Sequence, residues 1–112
     1  MEIMRELVAK DKDNGWSAES DIKVKDLDHG EMLILRATTY KNRTTVQAGI
    51  AAYLSSSGLA SFSFDIFGDY KANIPNKMMR ATKKAVVKAH LKAIEEIESK
   101  ILQEALEHYE QE

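Results

Sequence analysis

The first fourteen residues, MEIMRELVAKDKDN, set Ile3, Met4, Leu7 and Val8 at the spacing of one helical face. That spacing predicts a short helix over 1–14, with Asn14-Gly15 as its stop. A helix of about three turns is marginal alone and needs a surface to pack on.

From Ser17 to Tyr70 the period drops to two. DIKVKD puts Ile22 and Val24 on one face and Lys23 and Lys25 on the other. EMLILRATTY puts Leu33, Leu35, Ala37 and Thr39 on one side. TTVQAGIAAYL aligns Val46, Ala48, Ile50, Ala52 and Leu54, and LASFSFDIF aligns Ala60, Phe62, Phe64 and Ile66. Alanines favour helix in the third run, but strict alternation, Gly49 and the β-branched Thr44, Thr45, Val46 and Ile50 favour strand. DHG, KNR and SSSG lie between the runs and suit short turns. The pattern predicts a four-stranded antiparallel meander over 17–70 with one buried face.

After FGDYKANIPN the period is helical to the end, with no further proline or glycine. Asn73 or Asn76 can cap, and Pro75 suits a first helical turn. The predicted helix over 75–110 is about 50 Å long, against roughly 20–30 Å for a strand of the sheet. It is therefore expected to overhang the sheet it packs on. Met79, Val86, Val87, Ala93, Ile94, Ile97 and Ile101 form its apolar face, with His90 among them as a core or interface histidine. Beyond Ile97 the apolar arc widens. Ile101 and Ala105 continue the first face, while Leu102, Leu106 and Tyr109 open a second. An arc that wide asks for a second surface. The expected fold is thus one α+β domain over 1–112: short helix, four-stranded meander, long C-terminal helix.

Charge adds a second feature to this helix. Residues 77–92 hold six bases and no acid, and residues 93–112 hold seven glutamates against Lys100. Bases first and acids last runs against the helix dipole, at about 0.3–1 kcal/mol per charge in the terminal turns. An antiparallel partner helix would set each block beside its opposite. The sequence thus predicts a non-enzymatic interaction protein that forms a homodimer through Ile97, Ile101, Leu102, Ala105, Leu106 and Tyr109 and binds a further macromolecule. The alternative is nucleic-acid binding by the basic stripe Lys77, Arg80, Lys84, Lys88 and Lys92. No helix-turn-helix, zinc-finger or single-stranded-RNA signature accompanies the stripe.

Composition narrows the remaining chemistry. Net charge is −2, with 30% charged and 44% hydrophobic residues, as in ordinary globular chains. Cysteine is absent, which removes disulfides, thiolate nucleophiles and sulfur-based zinc sites. Glu2, Arg5 and Glu6 break up the N-terminus where a signal peptide would be apolar, and no run reaches the roughly 20 residues of a bilayer span. A cytoplasmic location, no membrane partner and no cofactor or metal are expected. The one catalytic candidate is the turn holding Asp28, His29 and Glu31, an acid–base or metal grouping. Glu104 and His108 are too few for a metal site. Asp65 and Asp69 flank a turn at Gly68, and SSSG lacks the pattern of a nucleophile elbow.

Overall fold

Glu2–Asp11 is a strand, β1, not the expected helix. It pairs antiparallel with β2 (Gly15–Asp26) from Glu2↔Lys23 to Asp11↔Gly15. The chain reverses between these strands, and Gly15 opens β2 at φ 81°, a conformation glycine reaches without steric cost. Gly15 therefore opens a strand rather than stopping a helix, and Asn14 lies outside the described residues. A bulge between Ile3 and Arg5 lets the helix-like spacing arise in a strand. Met4 joins Met32, Ile34 and Ala51 on one face of the sheet, while Ile3 and Val8 stay more than a third exposed.

Four further strands follow the expected runs: β2, β3 (Glu31–Tyr40), β4 (Arg43–Ser56) and β5 (Leu59–Pro75). The sheet is therefore a five-stranded antiparallel meander in the order β1-β2-β3-β4-β5. The computed structural model describes residues 2–11, 15–40, 42–56, 59–76 and 82–110. Part of the inner faces expected for β3 and β4 packs as expected, while the side chains of Leu54, Ala60, Phe62, Phe64 and Ile66 lie outside those described. Leu35, Ala37, Val46 and Ala48 share one core with Ile22 and with helical Ala93, Ile94 and Ile97. A bulge between Lys23 and Lys25 changes the outer part of β2. Lys25 sits on the helix side, its ammonium 5.4 Å from the Tyr109 ring centre, instead of opposite Val24. β5 runs past residue 70 to Pro75, with Asn73 paired to Thr45, so neither Pro75 nor Asn73 starts the helix. A terminal proline on an edge strand costs the sheet no hydrogen bond.

The helix comprises α1 (Lys83–Glu96), a π turn (Ile97–Ile101) and α2 (Leu102–Glu110). Thr82 is the N-cap, its hydroxyl accepting from the Ala85 N–H at 3.2 Å. At its start Lys83 lies 5.4 Å over Trp16, the second residue of β2, and near its end Tyr109 meets Lys25. The helix therefore runs along β2. About 42 Å of helix matches about 40 Å of a twelve-residue strand. Ala105 is still buried, so the helix is seated on the sheet and the expected overhang is absent.

The π turn removes the reason for a second surface. The Leu102 N–H bonds the Ile97 carbonyl, five residues back, which fits one extra residue into a turn. Every later side chain is shifted by about 100° relative to a regular helix. Leu102 then packs on the same core as Ile97, Ile101 and Ala105, and Tyr109 reaches Lys25. Two apolar faces in the sequence are one face in space.

Ser99, exposed in this turn, is the residue whose deletion restores α-helical bonding with both flanks in phase. In urea denaturation the Ser99 deletion is expected within about 1 kcal/mol of wild type. Ile97→Ala, which empties a fully buried site, is expected to cost about 2–5 kcal/mol. A deletion as costly as Ile97→Ala would contradict the phase argument.

Candidate functional site

His90 projects from α1 into the inner face of the sheet and is 6% exposed. Its Nε2 lies 2.7 Å from the Ser20 hydroxyl of β2, and its Nδ1 lies 2.7 Å from the Thr39 hydroxyl of β3. Thr39 lies 2.6 Å from the Thr44 hydroxyl of β4, its cross-strand partner. All three hydroxyl residues are almost fully buried. The alternation that fills the core with Leu35, Ala37 and Val46 also delivers Thr39 and Thr44 to the inner face.

The chain Ser20–His90–Thr39–Thr44 has one proton too many. Three hydroxyls and a neutral imidazole carry four donor hydrogens, and the chain has three bonds. If Ser20 donates to Nε2, then Nδ1–H donates to Thr39, Thr39 to Thr44, and the Thr44 proton points out of the chain. In the opposite direction Ser20 holds the surplus. Among the described residues neither terminal hydroxyl has another partner.

Thr44 lines a groove of about 560 Å³ between α1 and the meeting ends of β4 and β5. Ile74, Pro75 and Ala89 give it apolar walls, and Lys88, Lys92 and Glu96 reach it from the helix. That size falls among small-molecule sites.

The opposite face of the sheet holds a second buried polar group, Asp21, with no exposure. Arg36 reaches it twice, at 2.7 Å through Nε and 3.0 Å through Nη2, and Arg5 Nε donates at 3.0 Å. Arg5 also pairs with Glu19, which accepts from Thr38 at 3.3 Å. Two arginines on one buried carboxylate satisfy its desolvation and tie β1, β2 and β3 together. This saturated cluster is structural. Sequence gave no sign of it beyond opposite charges at alternate positions.

The expected interface residues turn toward the chain's own sheet. Ile97, Ile101 and Ala105 are 0, 5 and 2% exposed, Leu102 packs on the core, and Leu106 and Tyr109 are half-buried. Lys84, Lys88 and Lys92 are exposed, while Lys77 and Arg80 lie outside the described residues. Asp28, His29 and Glu31 are exposed around a single 3-10 turn, where His29 adopts φ 63° and ψ 30°. A groove of about 470 Å³ lies beside them, edged also by Lys25 and Tyr109. No hydrogen bond joins the three side chains, and no group of three metal-binding side chains occurs among the described residues.

The outward face of the helix carries a pattern of its own. Lys84, Lys88, Leu91, Glu95 and Glu98 recur at steps of four, three, four and three, and all five are exposed. Leu91 is 57% exposed, the most of the large apolar side chains described. Steps of four and three keep residues on one stripe of a helix.

No protein-family model, curated protein or solved structure matches the chain, so its function rests on this geometry. No helix of the described residues is long and apolar enough to cross a membrane.

Burial holds the His90 imidazole below its ordinary value of 6.5, partly offset by the Glu6 and Glu19 carboxylates. The unfolded chain then binds a proton that the folded chain refuses. The His90 contribution to stability is intact at neutral pH and falls as pH drops below 6.5, until the folded imidazole titrates. Urea midpoints between pH 7.5 and 5.5 are expected to show this slope. His90→Gln is expected to lose about 1–3 kcal/mol at neutral pH and to flatten the slope. An equal slope in both proteins would contradict the assignment.

Proposed function

We propose that the protein is a non-enzymatic interaction protein that self-associates by antiparallel pairing of its helix and binds a further macromolecule as that assembly. The observation that carries this reading is the exposed stripe Lys84, Lys88, Leu91, Glu95, Glu98. A two-fold axis through Leu91 makes the stripe complementary to itself. Leu91 meets the partner's Leu91, Lys88 meets the partner's Glu95, and Lys84 meets the partner's Glu98. An isologous contact of this kind closes at two copies. The contact surface lies on the outer face of α1, because the sheet occupies Ile97, Ile101 and Ala105.

The charge order gains a physical reason from this pairing. Lysines in the first turn oppose the helix dipole, and a parallel or isolated helix gains nothing in return. Antiparallel pairing sets four cross-helix ion pairs around one apolar contact. Exposed pairs contribute roughly 0.2–1 kcal/mol each and weaken as salt rises. One helix on one helix is a small contact beside the roughly 1,200 Å² of a stable complex. The dimer is accordingly dependent on concentration and salt.

The second reading, nucleic-acid binding, draws on the same exposed Lys84, Lys88 and Lys92. It differs in its response to acid reversal: Glu95→Lys with Glu98→Lys extends the basic face and strengthens a polyanion complex, but breaks the dimer.

Light scattering at about 50 μM and low salt is expected to give a mass between one and two chains, falling to one chain at about 1 M salt. Lys84→Glu with Lys88→Glu, and Glu95→Lys with Glu98→Lys, are each expected to weaken the dimer roughly ten- to hundredfold. An equimolar mixture of the two variants is expected to associate again. A wild-type monomer at every salt concentration, or no recovery on mixing, would overturn the proposal.

A further inference from the structure

We infer that the groove between α1 and the ends of β4 and β5 binds a small monocarboxylate with a short apolar tail, its oxygen accepting from the Thr44 hydroxyl. Three observations converge there. The first is the surplus donor of the Ser20–His90–Thr39–Thr44 chain, which leaves at Ser20 or at Thr44. Thr44 is 1% exposed and lines the groove, so its proton meets an acceptor only if something in the groove provides one. A buried donor without an acceptor is unfavourable, so an acceptor in the groove favours the direction that brings the surplus proton to Thr44.

The second is charge. Lys88 and Lys92 reach the groove and Glu96 opposes them, for a balance of one positive charge. A single carboxylate matches that balance, whereas a dianion such as phosphate meets Glu96 with an unmatched charge. The third is the apolar wall of Ile74, Pro75 and Ala89, which gains from covering a few methylenes. Lys88 also stands on the outward stripe, so Thr44 and Lys92, which do not, carry the test of occupancy apart from self-association.

Binding has a built-in reporter. An acceptor at Thr44 fixes the direction of the whole chain: Thr44 donates to the ligand, Thr39 to Thr44, Nδ1–H to Thr39, and Ser20 to Nε2. The ligand thereby selects the Nδ1–H tautomer of a histidine it never touches.

The experiment is a titration of the full chain with hexanoate, followed by amide shifts and by long-range proton–nitrogen spectra of the His90 ring. Shifts are expected at Thr44, Ile74 and Ala89, together with movement of the ring toward Nδ1–H. Thr44→Val, which keeps the shape and removes the donor, is expected to bind about tenfold more weakly. If Thr44→Val does not fold, Lys92→Gln supplies the comparison with the same expected direction. Hexanol, hexylamine and inorganic phosphate are expected to leave the groove amides and the ring unchanged. Absence of hexanoate shifts at tens of millimolar would overturn the inference. So would hexanol, hexylamine or phosphate binding as hexanoate does, or hexanoate binding with the ring tautomer unmoved.

Discussion

The bond from the Leu102 N–H to the Ile97 carbonyl decides what the last third of the helix lends to the sheet. In a regular α-helix Leu102, Leu106 and Tyr109 would follow the lysines around to the outside. The widened turn brings them back, so α1 and α2 present one continuous apolar face to a sheet about as long as they are. Burial of Ile97, Ile101 and Ala105 then fixes the rotation of α1. That rotation sends His90 inward, sets Lys92 at the groove, leaves Lys84, Leu91, Glu95 and Glu98 on the outward stripe and places Lys88 on both. Inner core, side groove and outer stripe are three consequences of one helical phase.

The sheet side of this arrangement is held from behind. β3 is buried on both faces, with Leu35 and Ala37 toward the helix and Met32 and Ile34 away from it. The Asp21 carboxylate and its two arginines fasten edge strand β1 to that back face. A sheet so fixed holds Ser20 and Thr39 at hydrogen-bonding distance from one imidazole and Thr44 at the same distance from Thr39, which demands a register right to the residue.

Period-two alternation was legible where Ile22 of β2, Leu35 and Ala37 of β3, and Val46 and Ala48 of β4 reach one core from alternate positions. β1 was not legible: as an edge strand it leaves Ile3, Leu7 and Val8 more than a third exposed, so its pattern follows no single face. Its bulge at Met4 then imitates helical spacing. The bulge that swings Lys25 to Tyr109 was hidden for a like reason, since one inserted residue leaves no compositional mark. The π turn did leave a mark, the doubled apolar arc beyond Ile97, but the same mark fits a partner surface equally well. At the candidate site His90 could be placed on the apolar face. Its two hydroxyl partners, Ser20 and Thr39, and the Thr44 hydroxyl beyond them come from three strands, and only their register joins them.

The helix charged against its own dipole is therefore a matter of its outer face alone. The inner face is held mainly by apolar packing, and the apolar arc beyond Ile97 belongs to the sheet. What remains for a partner is Leu91 between two lysines and two glutamates, on a stripe that matches itself when reversed. Because the chain contains no cysteine, the test can be made with a single introduced thiol. Leu91→Cys places that thiol on the proposed two-fold axis, within reach of its own copy, and Ser99→Cys places it on the same helix away from the axis. Under mild oxidation at low salt, Leu91→Cys is predicted to form a covalent dimer much faster than Ser99→Cys, and to lose that advantage in high salt. Equal rates for the two variants, or a Leu91→Cys protein that stays monomeric, would contradict antiparallel pairing about Leu91.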